Sequence, residues 1–438
     1  MQRIAVFGCG YVGLVTAACF ARMGHNVACY DTDLTKIRTL CAGELPFYER
    51  HLSQLIRVQL SCSRLQFVSD VAAALKNRNI VFIAVGTPTA PTGEADLTYV
   101  RQAARDIADR AADGIVIVNK STVPVETADL VEREVRERNP ELRFSIASNP
   151  EFLREGRAVA DFLHPDRVVL GVRDAQAQET LRALYEPLGA PVVVVDLRTA
   201  EMIKYAANAF LATKISFINE IANLCAAVDA AVDGVIEGIG YDARIGPSYL
   251  QPGLGFGGSC LPKDVTALIH VGRTHGMEPT LLDAVMNVNK RQIVVALQLV
   301  ERLTGELYGK TIGVFGVAFK GGTDDLRDSP SITLVEALVT RGATVRIFDA
   351  HANAQAERRF ENGTVFCTSP YEAAAGCDGV VVANDDAYYA QLDWRRIGTS
   401  LAAPNVIDLR NTIERSSIED AGLRYAGVGR ATNAMVHA

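Results

Sequence analysis

Ile4-Ala5-Val6-Phe7-Gly8-Cys9-Gly10-Tyr11-Val12-Gly13 is the stretch that decides the fold. The first four residues are all apolar, which reads as a strand buried on both faces. The G-x-G-x-x-G behind them reads as a tight turn opening a helix that runs to about Met23. A second short strand, Val27–Tyr30, leads to Asp31, which lies 18 residues beyond Gly13. In that setting the glycines allow the backbone to approach a pyrophosphate, and the helix N-terminus supplies N–H groups and a positive dipole end. An acid at the end of the second strand accepts from a ribose 2′-hydroxyl and repels a 2′-phosphate, so NAD is favoured over NADP. Gly8, Gly10, Tyr11, Val12, Gly13, Asp31 and the nearby Lys36 are the expected cofactor contacts.

Outward from this turn, Ile80–Val85, Ile115–Val118, Phe144–Ala147, Val168–Leu170 and Val192–Val195 are further short apolar strands with helical stretches between them. That alternation indicates a parallel sheet covered on both faces. From about Ala200 to Val232 the pattern is helical with no Gly or Pro inside, and a second helical stretch runs from about Thr280 to Arg302. Between them, 8 of the 17 residues of Gly246–Pro262 are Gly or Pro, the density of an ordered loop that turns sharply or closely approaches a ligand. The alternation then restarts, with strands at Thr311–Val317, Thr344–Phe348, Gly379–Val382 and Val406–Asp408 and a helix at Ile332–Arg341. The fold class is therefore α/β: two α/β domains joined by a long central helical segment, divided at 1–198, 199–304 and 305–438. Strand, glycine turn, helix and a strand ending in an acid occur twice, at Asp31 and at Asp349.

Composition narrows the function classes. A chain of 438 residues suggests two or three domains. The 44 Lys and Arg against 51 Asp and Glu give a net charge of −7, which argues against nucleic acid as the main partner. The nine cysteines form no C-x-x-C pair and the seven histidines are scattered, so neither a metal site nor a disulfide framework is expected. Unpaired thiols suit a reducing cytoplasm. The N-terminus opens directly into a strand without a signal-peptide apolar region, and no run reaches the ~18 apolar residues of a membrane helix.

Several segments carry polar groups where an open parallel sheet binds ligands, at the C-terminal ends of its strands. These are Gly86-Thr87-Pro88-Thr89, Asn119-Lys120-Ser121-Thr122-Val123-Pro124 and Asn149-Pro150-Glu151-Phe152-Leu153-Arg154-Glu155-Gly156. Taken alone, the first two also fit ordinary loops, and the third fits a surface helix with a Glu–Arg pair. Lys204 and Asn208 lie one turn apart on the central helix among apolar neighbours. A lysine there either snorkels to solvent or faces a functional cavity. Gly253-Leu254-Gly255-Phe256-Gly257-Gly258-Ser259-Cys260-Leu261-Pro262-Lys263-Asp264 is the most specific segment. It sets Cys260 at the start of a helix, a position that favours a thiolate nucleophile, with Asp264 one turn on. The other eight cysteines read as inert thiols. Phe319-Lys320-Gly321-Gly322-Thr323-Asp324-Asp325-Leu326-Arg327-Asp328-Ser329-Pro330 offers two cations and a helix N-terminus to an anion.

GCGYVGL, VGTPT, KSTVP, NPEFLREG, EMIKYAANAF, GFGGSCLPKD and FKGGTDDLRDSP stand in the order shown by the nucleotide-sugar 6-dehydrogenases, the UDP-glucose/GDP-mannose dehydrogenase family, and over nearly the whole chain the sequence resembles that family. The resemblance implies two Rossmann-like doubly wound domains joined by a long central helix, with NAD on the first, the UDP of a sugar nucleotide on the last, and a homodimer built on the central helix. It implies Cys260 as nucleophile, Lys204 and Asn208 as the oxyanion-stabilising pair, Asp264 holding a water with Lys204 and Thr122, and Glu151 as base for hydrolysis. Gly86, Thr87, Thr122, Glu155, Lys263 and Arg327 match positions near NAD. Glu151, Phe152, Leu153, Lys204, Asn208, Tyr249, Leu250, Gln251, Gly253, Gly257, Lys320 and Arg410 match substrate positions. Arg244, in Tyr241-Asp242-Ala243-Arg244-Ile245-Gly246, resembles an arginine that reaches the neighbouring subunit's sugar.

The implied activity is the four-electron oxidation of UDP-glucose at C6 to UDP-glucuronate through a Cys thiohemiacetal and thioester. GDP-mannose and UDP-N-acetylhexosamine dehydrogenases share the motifs, but the wording of DARIG, KYAANAF and NPEFLREG is closer to the UDP-glucose branch. A two-electron dehydrogenase of the 6-phosphogluconate or 3-hydroxyacid type needs neither the third domain nor Cys260. A non-catalytic sugar-nucleotide sensor would have lost one of the catalytic groups, and all of them are present. One departure stands in FKGGTDD, where the family pattern has a proline-asparagine pair in place of Gly321-Gly322.

Overall fold

The computed structural model describes residues 1–360 and 363–430. Two compact units divide the chain: Met1–Ala207 with Thr266–Met277, and Asn208–Val265 with the residues from Glu278 on.

The first unit is built on an eight-stranded sheet. Its strands are β1 (Arg3–Phe7), β2 (Asn26–Tyr30), β3 (Leu65–Val68), β4 (Ile80–Ile83), β5 (Ile115–Asn119), β6 (Phe144–Ser148), β7 (Val168–Val172) and β8 (Val192–Val195). The spatial order β3-β2-β1-β4-β5-β6-β7-β8 puts the reversal of strand order between β1 and β4, the crevice where such sheets bind ligands. Ile4, Ala5, Val6 and Phe7 are buried on both sides, as a central parallel strand requires.

Two features depart from the sequence expectation. β3 lies at the sheet edge, where alternate exposure of Gln66 and Val68 removes the continuous apolar signal. The sheet is also not wholly parallel: β6 and β7 pair antiparallel, Ala147 opposite Val172 and Ser148 opposite Gly171. The chain leaves β6 through the Asn149–Gly156 loop and re-enters from the same end, which keeps Glu151 at the strand ends.

The second unit holds a six-stranded sheet of β9 (Thr311–Phe315), β10 (Thr344–Phe348), β11 (Thr364–Phe366), β12 (Gly379–Val382), β13 (Asn405–Asp408) and β14 (Arg424–Gly427). All its pairings are parallel and its order is β11-β10-β9-β12-β13-β14, the Rossmann 3-2-1-4-5-6 arrangement. The echo between the two halves is thus structural. Cys9 N–H donates to Asp31 at 2.8 Å, and the N–H groups of Val317 and Ala318 donate to Asp349 at 2.7 and 2.9 Å. In each unit the acid after the second strand fastens the turn after the first.

The central helix, Leu197–Val228, is 32 residues long and runs from one unit into the other. It starts and ends slightly earlier than the sequence pattern suggests. Asp229, in the left-handed region at φ 57°, stops it, and Val232–Gly240 forms a separate helix. An 18-residue window of the central helix has a mean hydropathy of 1.2, so by length and composition it meets the measure of a membrane span. Lys204, Lys214 and Glu220 interrupt its apolar sequence. The helices Leu261–Thr274 and Thr280–Thr304 complete the middle of the chain.

Candidate active site

In the first unit, the turn after β1 has two tight glycines and one open one. A Cβ on Gly13 would lie 1.8 Å from the Gly8 carbonyl oxygen, and one on Gly8 would lie 2.5 Å from that of Ala84. At Gly10, and at Gly86 beyond β4, a Cβ would meet nothing within 4 Å. Gly8 and Gly13 therefore lock the turn to the sheet and the next helix, while Gly10 and Gly86 leave space for a ligand to approach the backbone. Gly10 also caps the helix Tyr11–Arg22 without a side chain competing for its first N–H groups, as pyrophosphate binding needs.

Asp31 accepts from Cys9 N–H, Asp33 N–H and Lys36 Nζ at 2.8, 3.0 and 3.0 Å. Burial alone would raise its carboxyl. The two N–H groups and the Lys36 ammonium outweigh burial and hold it below the ordinary carboxylate range. These residues fit a dinucleotide with a free ribose 2′-hydroxyl.

Two loops frame the rest of this unit's strand ends. Thr87 Oγ donates to the Thr122 carbonyl at 2.9 Å, tying the loop after β4 to that after β5. In the loop after β6, Glu151 and Lys204 are 5% and 4% exposed and pair at 3.0 Å. Lys204 therefore does not snorkel to solvent. The other Glu151 oxygen accepts Leu153 N–H at 2.6 Å. Burial pushes the Glu151 carboxyl up, but Lys204, the Leu153 N–H and the Lys120 ammonium together hold it below its ordinary value. Phe152 lies beside the pair, its ring centre 5.4 Å from Lys204 Nζ and 3.5 Å from the Arg167 guanidinium. Leu153 is half-buried and Glu155 is buried. Lys120 is itself enclosed, donating to Asn149 Oδ1 at 2.9 Å, and burial lowers its ammonium to about 8.

In the second unit the glycine-rich loop is held along its whole length. Gly253 N–H donates to Asn219 at 2.7 Å, and its carbonyl accepts from Gln292 at 2.8 Å. Asn289 bonds both backbone groups of Phe256, at 2.8 and 2.9 Å. Gly258 N–H donates to the Arg327 carbonyl at 3.1 Å. A Cβ on Gly257 would sit 2.2 Å from the Asp328 carbonyl oxygen, so the close approach that the glycines permit is to the protein's own backbone.

This frame delivers Cys260, half-buried, to the start of Leu261–Thr274. One turn on, Asp264 is 1% exposed, accepting from Asn208 Nδ2 and pairing with Lys263 Nζ, both at 2.6 Å. None of the nine cysteines is in a disulfide. Burial raises the Cys19 and Cys377 thiols to about 12, which removes them from nucleophilic chemistry near neutral pH.

The remaining expected residues also fall in this unit. Leu250 is buried, Tyr249 is half-buried and Gln251 is exposed. Tyr249 adopts a left-handed φ of 63°. Lys320 lies over the Phe319 ring, 5.7 Å from its centre, and Arg327 pairs with Asp325 at 2.6 Å. Arg410 donates to the carbonyls of Gly255, Ala383 and Phe319 at 2.9, 3.1 and 3.2 Å, so its guanidinium braces the cysteine loop. The departure at Gly321-Gly322 fits its surroundings, by close packing at Gly321 and by a left-handed φ of 74° at Gly322. A Cβ on Gly321 would lie 2.4 Å from Asp386 backbone, and the N–H groups of both glycines donate to Asp385 and Asp386 at 2.8 and 2.9 Å. Arg244 stands on an exposed turn, its side chain 89% accessible and paired with Asp242.

Comparison with known proteins assigns the family. Residues 2–189, 198–291 and 313–415 match, respectively, the NAD binding domain, the central domain and the UDP binding domain of the UDP-glucose/GDP-mannose dehydrogenase family. The chain belongs to that family. It is 43% identical over 436 residues to a UDP-glucose 6-dehydrogenase of Rhizobium meliloti, covering 98% of this chain and 100% of the relative. It is 44% identical over 443 residues to that of Pseudomonas aeruginosa, covering 98% of each. Among solved structures, a UDP-glucose dehydrogenase from the hyperthermophilic archaeon Pyrobaculum islandicum superposes with a TM-score of 0.92 at 40% identity, covering 98% of both chains.

Two buried acids of the first unit escape the sequence reading. Glu49 accepts Gly156 N–H at 2.6 Å and Ala158 N–H at 2.9 Å and bonds the Tyr11 hydroxyl, joining the family's glycine turn to the loop that carries Glu151 and Glu155. Glu201, on the central helix, accepts N–H groups from beyond the Thr122 loop. Neither contact is local in sequence. The one available signal is Glu201 itself, a second charge three residues before Lys204 on an apolar helix.

Proposed function

We propose that this protein is an NAD-dependent UDP-glucose 6-dehydrogenase that oxidises the C6 alcohol to the carboxylate in one active site. The observation that carries this reading is Cys260 at the head of a helix, in a loop clamped by Asn219, Asn289, Gln292 and Arg410. A dehydrogenase that stops at the aldehyde has no use for such a thiol. One that continues to the acid needs it, because an sp² aldehyde carbon is a poor hydride donor.

Gly8–Gly13, Asp31 and Lys36 would hold NAD, which when bound would supply the hydride acceptor, one molecule for each of the two oxidations. The chain's own residues do the rest. A basic group takes the C6 hydroxyl proton as the aldehyde forms. The Cys260 thiolate then adds to the aldehyde carbon, giving a tetrahedral thiohemiacetal whose oxygen is stabilised by the Lys204 ammonium and the Asn208 amide. Loss of the second hydride re-forms the carbonyl as a thioester. Glu151, or the Asp264–Thr122–Lys204 set, takes a proton from water as the water attacks the thioester carbon; the C–S bond breaks, and uronate and the Cys260 thiolate are released. Lys320, Tyr249–Gly253 and Gly257 hold the UDP part of the substrate, and Glu155, Lys263 and Arg327 lie near NAD.

Counting NADH against sugar nucleotide tests the reading. The expected result is two NADH per UDP-glucose consumed. One NADH, or turnover with GDP-mannose alone, overturns it.

The second unit also carries an apolar stripe suited to a homodimer. Phe210, Phe217, Leu224 and Val228 are 66%, 51%, 55% and 72% exposed at spacings of seven, seven and four along the central helix. Among the described residues these four form one exposed helical face, the pattern a partner helix buries. In the dimer Arg244 reaches the neighbouring sugar site. Phe217→Asp is expected to give a monomer by sedimentation and to reduce activity by about tenfold or more, the scale of an interface hot spot. An active monomer would refute the shared site. Nine cysteines outside disulfides suit a reducing compartment, and the cytoplasm is the one we propose for the enzyme.

A further inference from the structure

We propose that Glu201 is a positioning residue of this enzyme, a single buried carboxylate that fastens together the three segments bearing Lys204, Thr122 and Glu151. It rests on the reading that those three groups work on the sugar.

Glu201 is 3% exposed. One of its oxygens accepts Glu126 N–H at 2.8 Å; the other accepts Ala128 N–H at 2.8 Å and the Ser148 hydroxyl at 3.2 Å. Each contact lies close in sequence to a proposed catalytic group. Glu126 and Ala128 stand four and six residues after Thr122, Ser148 precedes Glu151 by three residues, and Lys204 lies one turn beyond Glu201 on the same helix.

A purely structural cap would not need this arrangement. The helix Thr127–Arg138 begins at Glu126, held at φ 79°, and has no side-chain cap of its own. Local Ser, Thr, Asp or Asn residues ordinarily serve that end. Here the acceptor comes instead from 75 and 73 residues away. Asp129 faces the same carboxylate and Arg198 pairs with Glu126 and Asp129 at the rim, at 3.1 and 3.0 Å. Burial raises the Glu201 carboxyl to about 7, so keeping an acid here works against the fold. What the acid provides is a rigid link between the lysine and the two loops it must address.

Glu201→Gln in the full-length enzyme tests this, since glutamine keeps the shape but turns one acceptor into a donor facing an N–H group. We expect kcat to fall about 10- to 100-fold with the KM values for UDP-glucose and NAD within about threefold, the effect of misplacing reacting groups by about 1 Å. Hydrogen exchange at the Glu126 and Ala128 amides should accelerate while β5 stays protected. A kcat within twofold of wild type, or a loss seen in KM alone, overturns the proposal. Should Glu201→Gln fail to fold, Ser148→Ala removes one tie and leaves the carboxylate; it should lower kcat severalfold at constant KM, and an unchanged kcat refutes the role. If the wild-type enzyme makes no NADH from UDP-glucose, the functional reading fails separately. Unaltered exchange in Glu201→Gln would still overturn the tether.

Discussion

Cys260→Ser should abolish net NADH production from UDP-glucose, by about a thousandfold or more in steady-state rate, the scale of losing a catalytic nucleophile. The first oxidation needs no thiol and still runs in the variant, but it is readily reversible and yields at most one NADH per site. The aldehyde formed meets a neutral serine hydroxyl, so the tetrahedral adduct from which the second hydride departs does not accumulate. Quenching with borodeuteride should return UDP-glucose carrying one deuterium at C6. Serine at the exposed Cys41 or Cys62 leaves turnover unchanged. Continued formation of uronate by Cys260→Ser would sink covalent catalysis for this enzyme, and with it the reason for building the clamped loop.

Why Cys260 and not another of the nine is a matter of environment. Cys9, in the turn after β1, and Cys29, in β2, have sulfurs 3.3 Å apart, and their mutual contact together with burial pushes the Cys9 thiol far up. Cys19, Cys225, Cys367 and Cys377 are buried as small apolar residues. Cys260 is half-buried at a helix start, with Asn208 and Lys263 engaged by Asp264 one turn away. That contrast was legible in the sequence because a glycine-rich approach to a helix is a local feature.

What was illegible is non-local. β3, β11 and β14 escaped because edge strands alternate or are short, and an alternating four-residue strand such as Leu65–Val68 carries little periodic signal. The antiparallel turn of β7 against β6 follows from where the chain re-enters the sheet, which no composition reveals. Lys204 left two readings open, solvent or cavity, and the choice came from a carboxylate 53 residues away, Glu151. Glu49 and Glu201 were missed for the same reason: each acts on backbone N–H groups of a distant loop, and backbone donors have no sequence signature. The sequence motifs thus mark the groups proposed to touch ligands, while the buried acids bonded to the neighbouring loops emerge only from the packed structure.

Glu151→Gln should split the reaction at its last step. In the wild-type protein Glu151 is buried, yet its carboxyl is held below the ordinary value because Lys204, the Leu153 N–H and Lys120 outweigh desolvation. It is therefore ionised at every pH of physiological interest and ready to take a proton from water. Glutamine keeps one oxygen, which still accepts from Lys204, while its NH2 replaces the oxygen that accepts Leu153 N–H, so the lysine proposed to serve the tetrahedral oxyanion retains a partner. What is lost is the base. Both hydride transfers should then run as a burst of two NADH per site, after which turnover slows by about 10²- to 10³-fold, the usual contribution of general base catalysis. Acid quench during the slow phase should find the sugar bonded to Cys260, and added hydroxylamine should release it as the hydroxamate. The pH dependence carries the same sign. Since the folded carboxyl titrates below its unfolded value of 4.5, its contribution to stability is present above that pH and disappears as pH falls through the lower folded value. Wild-type hydrolysis should persist to below pH 4.5 where the fold survives, and the variant should lack that acid limb. A burst of one NADH, or a full steady rate without a covalent sugar, would move the hydrolytic base away from Glu151 and toward the Asp264 set.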